Sequence, residues 1–248
     1  MKKVLKWRCC TWQLEERHHS ANAMAPALTA AATWERIDTV LLDLDGTLLD
    51  LEFDNHFWHT RVPEVWGVQR GLDLHQARAV LAPRFSAREG TLEWYCEDYW
   101  SRELGLDIAE LTRREAERIR WLPGAREFLL KIRSFGKRLV LLTNSPPQAL
   151  AIKDERTQVL ALFDASFSSH ALGAPKEDQG FWRKLHEVEP HEPHRCLFVD
   201  DNLAVLRAAR TAGIGQVIGI HRPQARVPVG HSGEFPTVEQ IEALLGSG

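Results

Sequence analysis

Val40-Leu41-Leu42-Asp43-Leu44-Asp45-Gly46-Thr47-Leu48 is an apolar run that stops at two aspartates one residue apart, followed by a glycine and a threonine. A continuous apolar run bounded by turn residues reads as a buried parallel strand. Side chains two apart on a strand share a face, so Asp43 and Asp45 are expected to meet at its carboxyl end. Open α/β sheets place their ligands at that end. Two crowded carboxylates repel each other, and a hard cation such as Mg²⁺ between them relieves the repulsion. One carboxylate can then attack an electrophile while the other handles protons. The plainer alternative is a strand running into an Asx-type turn before a helix.

Three further segments follow the same design. Leu139-Val140-Leu141-Leu142-Thr143-Asn144 puts a hydroxyl and an amide at a second strand end. Pro175-Lys176 puts a lysine in a turn just before a helical stretch, and Cys196-Leu197-Phe198-Val199-Asp200-Asp201-Asn202 ends in paired acids. Each alone has an ordinary explanation: a helix cap, a solvated lysine, another cap. Their order along one chain, at one edge of one expected sheet, is what makes them specific.

Short apolar runs near residues 38–43, 138–143, 164–168, 195–200 and 216–220 alternate with helical stretches. That alternation predicts an α/β fold, a doubly wound parallel sheet with helices on both faces. Helices are expected over 125–135, after Pro123-Gly124, and over 147–162, 177–187 and 202–212, the last closed by Gly213. Residues 51–121 lack a convincing strand. There Leu92, Tyr95, Cys96, Tyr99, Trp100 and Leu104 recur at helical spacing. Gly67, Gly71, Pro83, Gly90 and Gly105 are expected to divide the segment into several helices. The aromatic stripe reads as packing core rather than a base-stacking platform. His56 and His59 read as an exposed or packed pair, because no third zinc ligand lies nearby in sequence.

The chain has 248 residues, 44% hydrophobic and 26% charged, an ordinary balance for a soluble globular protein. A net charge of −3 carries no polyanion-binding signature, so nucleic acid is not an expected partner. Cys9, Cys10, Cys96 and Cys196 show neither CxxC spacing nor a disulfide framework, which suits a reducing cytoplasm. Cys196 reads as a small buried hydrophobe. No apolar run approaches the roughly 20 residues that span a bilayer. Lys2, Lys3 and Lys6 resemble the charged start of a secretory signal, but no apolar stretch follows them. Residues 1–34 are expected to be an N-terminal extension. Its first 23 residues read as a disordered tail or an upstream misassigned start, with Met24 as the alternative.

From about Asp38 to Leu245 the chain resembles haloacid dehalogenase superfamily phosphohydrolases, whose four motifs are an Asp-x-Asp, a Ser/Thr, a Lys and an acidic pair, in this order. The resemblance implies a Rossmann-like core over 35–50 and 122–245, with residues 51–121 as an inserted helical cap. It implies that Asp43 is the nucleophile that forms an aspartyl-phosphate. Asp45 would protonate the leaving oxygen and then activate water. Thr143, Asn144 and Lys176 would bind phosphate. Mg²⁺ would be held by the Asp43 side chain, the Asp45 backbone carbonyl and Asp201, with Asp200 acting directly or through water. An acid at Asp45 favours phosphate esters as substrates, because a halide leaving group needs no proton.

Leu51–Trp58, Thr91–Trp100 and Pro175–Gln179 further resemble the bacterial GMP/IMP nucleotidase subgroup, which implies a 5′-nucleotidase acting on purine monophosphates. Phe53, Asp54, His56 and Phe57 lie close enough to the first motif to reach over the site. Alternatives on the same fold are a phosphomutase related to β-phosphoglucomutase, a broad sugar-phosphate phosphatase and a non-catalytic binding protein.

Overall fold

The computed structural model describes residues 5–8, 11–14, 32–221, 224 and 233–246. Its centre is a six-stranded, wholly parallel sheet of β1 (Thr39–Leu42), β2 (Arg138–Thr143), β3 (Ala165–Ser168), β4 (Cys196–Asp200), β5 (Gln216–Ile220) and β6 (Thr237–Val238). The spatial order is β3-β2-β1-β4-β5-β6. The chain therefore reverses its direction of travel across the sheet between β1 and β4, which opens a crevice at their carboxyl ends.

Strand alternation sorts the apolar runs onto two faces. Val40, Leu42, Leu139, Leu141, Leu197 and Val199 pack beneath helix Ala125–Ser134. Leu41, Val140, Leu142 and Phe198 pack beneath helices Gln179–Val188 and Leu203–Thr211. Burying a large apolar side chain contributes about 1.5–3 kcal/mol, so these runs anchor the strand ends that carry polar groups.

All five expected strands form. The sixth, two residues long, is too short to leave a pattern. The helix expected over 147–162 is two pieces, Pro147–Thr157 and a 3₁₀ turn at Val159–Leu162. They are separated by Gln158, the one non-glycine residue at positive φ (54°) among the described residues. The Asp154 carboxylate stabilises the break by accepting from Leu160 N at 2.8 Å. The helix expected over 177–187 starts later, at Gln179, because Asp178 caps it through Gly180 N.

Residues 51–121, the segment expected to be the cap, are largely helical and are inserted between β1 and β2. The chain leaves and re-enters the core side by side: Leu122 N donates to Leu48 O at 2.8 Å and Asp50 N to Arg120 O at 2.9 Å. The cap has its own core, in which Phe57, Trp66, Leu81, Phe85, Trp100 and Leu104 meet. Gly71, Gly90 and Gly105 do divide its helices, each at positive φ. Gly67 and Pro83 instead lie inside helices Val62–Val68 and Leu74–Ser86. A Cβ at Gly67 would stand 3.0 Å from Ala77 Cβ, so this glycine serves close helix packing.

The aromatic stripe is only partly core. Trp100 is buried edge-on against Phe85, with centroids 4.9 Å apart. The stripe breaks at Cys96, whose sulfur caps helix Glu97–Leu104 through Tyr99 N at 3.4 Å. Trp94 and Tyr95, on the short helix Leu92–Tyr95 before the break, turn toward the cavity.

In the N-terminal extension, Leu5–Arg8 and Thr11–Leu14 pair as a two-stranded antiparallel sheet. The rest of the segment expected to be a disordered tail or misassigned start lies outside the described residues. Cys196 is buried as expected, and burial pushes its thiol up to about 12. No helix among the described residues is long and apolar enough to cross a membrane.

Candidate active site

β1 ends at Leu42, and Asp43 N still donates to Val199 O at 3.0 Å. The chain then coils tightly, with Leu48 N and Leu49 N both bonding Leu44 O at 2.9 and 2.8 Å. Gly46, at φ 90°, takes the left-handed conformation that this coil needs. Asp43 and Asp45 therefore do line one cavity, but through the turn rather than through strand alternation.

Lys176 sits at the centre of the core half. Its Nζ donates to Asp43 Oδ1 at 2.5 Å, Asp200 Oδ2 at 2.7 Å and Leu142 O at 3.2 Å, using all three protons. Lys176 is 2% exposed, Asp43 5% and Asp200 1%. Burial alone would lower the lysine, but Asp200 and Asp43 outweigh it and hold it above the usual lysine range. Burial drives Asp43 well above the usual carboxylate range; Lys176 opposes this, and Asp200, Asp201 and Asp45 add to it. Asp200 is raised by burial against the pull of Lys176, and its Oδ1 accepts from Asn202 N at 2.7 Å.

Thr143, at the end of β2, is buried, and its Oγ1 accepts from Ser145 N at 2.9 Å, which leaves the hydroxyl proton to donate. The Asn144 side chain is engaged at both ends. Its Oδ1 accepts from Lys176 N at 3.0 Å and its Nδ2 donates to Glu177 Oε2 at 3.0 Å. Its side chain thus holds the lysine loop in place.

A second buried ammonium, Lys153, has no counterpart in the sequence reading. It is 2% exposed and pairs with Asp45 Oδ1 at 2.7 Å and with Asp54 Oδ1 of the cap at 2.9 Å. Ser145 Oγ donates to Asp45 Oδ2 at 2.8 Å and lies 3.4 Å from Lys153 Nζ. Burial would lower Lys153, but Asp45 and Asp54 more than offset it. Burial raises Asp54 to about 6 despite the lysine. The available signal was register: Lys153 shares the buried positions of helix Pro147–Thr157 with Ala149, Leu150 and Ile152. Of the cap residues expected to reach the site, Phe53, Asp54 and Phe57 line the cavity, whereas His56 lies 3.8 Å from Glu115.

Asp43, Asp200 and Asp201 bring carboxylate oxygens within 4.8 Å of one another. Asp43 Oδ2 is buried without a hydrogen-bond partner. Asp43 and Asp200 share the ammonium of Lys176, and a hard divalent cation with oxygen ligands fits both the clustered charge and the orphaned oxygen. The cavity above them is about 150 Å³ and is roofed by Trp58, Trp94, Tyr95 and Glu97 of the cap.

This is the arrangement of a doubly wound α/β fold with an acid-lined cavity at its switch point, beneath an inserted helical segment. Residues 37–213 match the family described as haloacid dehalogenase-like hydrolase. The chain belongs to that family. It is 39% identical to the GMP/IMP nucleotidase YrfG of Escherichia coli (strain K12), across 86% of this chain and 96% of that protein. It is 25% identical to a phosphorylated carbohydrates phosphatase of Thermotoga maritima, across 74% of this chain and 85% of that protein. Among solved structures, a HAD phosphatase from Thermococcus onnurineus superposes with a TM-score of 0.72 at 22% identity, covering 85% of this chain and 98% of that one.

Proposed function

We propose that the protein is a Mg²⁺-dependent phosphomonoester hydrolase, a 5′-nucleotidase that dephosphorylates GMP and IMP through an aspartyl-phosphate on Asp43. The observation that carries this reading is the Asp43 carboxylate: buried, bonded to Lys176 through one oxygen and unpartnered at the other. Phosphate esters are anions that repel nucleophiles, so positioning and charge stabilisation dominate their catalysis.

Asp43 attacks phosphorus and the ester oxygen departs. Asp45, held apart from Asp43 by Lys153 and Ser145, gives that oxygen a proton and later takes one from the water that hydrolyses the acyl-phosphate. Thr143 and Lys176 bind the phosphate oxygens, and Asn144 keeps Lys176 in register. Asp43, Asp201 and the Asp45 carbonyl, with Asp200 directly or through water, would hold Mg²⁺, which would supply neutralisation of negative charge at the site. A reducing, cytoplasmic setting suits the free thiols of Cys96 and Cys196.

Support for the substrate comes from the nucleotidase relative and from a cap that offers both aromatic and polar groups to the cavity. GMP and IMP share a 6-oxo group and N1–H, whereas AMP has a 6-amino group and a bare N1. A site built for the first pair leaves groups unpaired with AMP at about 1–3 kcal/mol each. The test is phosphate release by purified protein with Mg²⁺ from GMP, IMP, AMP, pyrimidine monophosphates and sugar phosphates. GMP and IMP are expected to lead AMP by about ten-fold in kcat/KM. Equal rates on all would instead favour the broad sugar-phosphate phosphatase that the Thermotoga relative suggests. Turnover that depends on a bisphosphate would identify a phosphomutase.

A further inference from the structure

Asp45 belongs to a closed ring of side chains from distant parts of the chain. Lys153 Nζ pairs with Asp45 Oδ1 at 2.7 Å and donates to Ser145 Oγ at 3.4 Å. Ser145 Oγ in turn donates to Asp45 Oδ2 at 2.8 Å. Both oxygens of one carboxylate are thus held, by an ammonium on one side and a hydroxyl on the other. The remaining lysine proton goes to Asp54 Oδ1 at 2.9 Å. Ser145 is itself anchored: its N donates to Thr143 Oγ1 at 2.9 Å, and its O accepts from Ser168 Oγ at 2.7 Å. Lys153 is buried on helix Pro147–Thr157 among Ala149, Leu150 and Ile152. An apolar side chain would fill that register without the cost of taking an ammonium out of water. The charge answers a need other than packing.

We infer that Lys153, together with Ser145, is a positioning residue for the leaving-group proton, fixing the Asp45 carboxyl where the departing ester oxygen can reach it. This rests on the hydrolase reading of the same site. In the first half-reaction an Asp43 oxygen bonds to phosphorus and the bond from phosphorus to the ester oxygen breaks. The ester oxygen leaves with the bonding pair and takes the Asp45 proton. In the second, a water oxygen bonds to phosphorus, the acyl-phosphate bond breaks with its pair returning to Asp43, and a water proton passes to Asp45. Lys153 takes part in none of these bonds. Each carboxyl oxygen has two lone-pair positions, so the ring orients Asp45 and still leaves a place for the proton. The benefit depends on the leaving group. An alkyl ester such as a nucleotide needs its oxygen protonated as it departs, whereas the oxygen of an activated aryl ester leaves as a stable anion. A displaced Asp45 therefore penalises the first and spares the second. An ion pair that only fastened Asp54 to the core would treat the two esters alike.

The test compares wild type, Lys153→Met, Lys153→Arg and Ser145→Ala, with Mg²⁺, on two esters. One is the alkyl phosphate turned over best (GMP on the reading above), the other 4-nitrophenyl phosphate. Rapid mixing reads the first turnover, as alcohol released from the one and nitrophenolate from the other. Lys153→Met should release the alcohol about 10²-fold more slowly, and nitrophenolate less than about ten-fold more slowly. Because Asp45 also serves the water step, the aryl ester should then give a burst of nitrophenolate followed by slow turnover. Lys153→Arg keeps a cation in the ring and should recover part of the alcohol rate. Ser145→Ala removes the Oδ2 arm without stranding a charge, and should show a smaller loss with the same bias. Equal losses on the two esters in Lys153→Met, or an unchanged alcohol rate, would overturn the inference. If Lys153→Met does not fold, the absence of that bias in Ser145→Ala would overturn it. A wild type that hydrolyses no alkyl phosphate would defeat the hydrolase reading and this inference with it, whereas unbiased losses in an active series defeat the inference alone.

Discussion

Asp43 occupies a position where its charge is strongly opposed, buried beside Asp200 and Asp201 and paired with Lys176. Replacing it by the near-isosteric asparagine removes the proposed nucleophile and one of the crowded charges. Asp43→Asn should abolish phosphate release while the melting temperature stays level or rises; wild-type turnover would rule out Asp43 as the attacking group. Lys176→Met does the opposite, leaving buried carboxylates without their ammonium. Breaking a buried pair by removing one partner costs about 3–5 kcal/mol. Urea unfolding in EDTA should register a loss of that order, and an unchanged midpoint would mean that the acids are relieved some other way. Metal removal tests the same crowd from the other side. Exhaustive chelation should stop turnover, Mg²⁺ should restore it and Ca²⁺ should not, because Ca²⁺ takes longer bonds and more ligands.

At the scale of elements, the strands were legible because strands buried on both faces write themselves as apolar runs, and the polar residues that end those runs mark the site. β1, β2 and β4 with Asp43, Thr143 and Asp200 follow from that rule. The break at Gln158 does not, since a glutamine at positive φ violates local preference and is held by its surroundings. Lys153 was hidden because a lysine on a helix reads as solvated until its buried register is noticed. The link from Tyr95 to Glu177 spans 82 residues, and no local pattern reports such a pairing.

The cap helix run also carries a pH signal. Burial, with Arg78 adding to it, lowers His59 to about 4. The unfolded chain takes up this proton near pH 6.5 and the folded one only near 4, so stability is full above about 6.5 and falls as pH drops between those values, by at most about 3 kcal/mol. Melting curves from pH 7 to 5 should decline less steeply for His59→Gln than for wild type. Parallel slopes would place the acid sensitivity elsewhere.

For the whole molecule, the described residues that form the apolar clusters and line the cavity lie between 32 and 245. A chain lacking residues 1–23 should therefore keep its turnover and melting temperature, and a loss of several degrees would make the extension part of the folded unit. The division of labour proposed here is between a core that carries out phosphate chemistry and an inserted helical segment that supplies the rest of the cavity wall. The core's claim on that chemistry is most directly tested by trapping the covalent species. Asp45→Asn retains the nucleophile but lacks both the acid that protonates the ester oxygen and the base that activates water. An aryl phosphate, whose leaving group needs no proton, is therefore the substrate that should load it. Acid-quenched after mixing with Mg²⁺ and an aryl phosphate radiolabelled in its phosphate, the variant should carry label on the peptide containing Asp43, and the label should be absent when Asp43→Asn is added. Label on another residue, or wild-type turnover that proceeds with no covalent phosphate in either protein, would contradict the aspartyl-phosphate route.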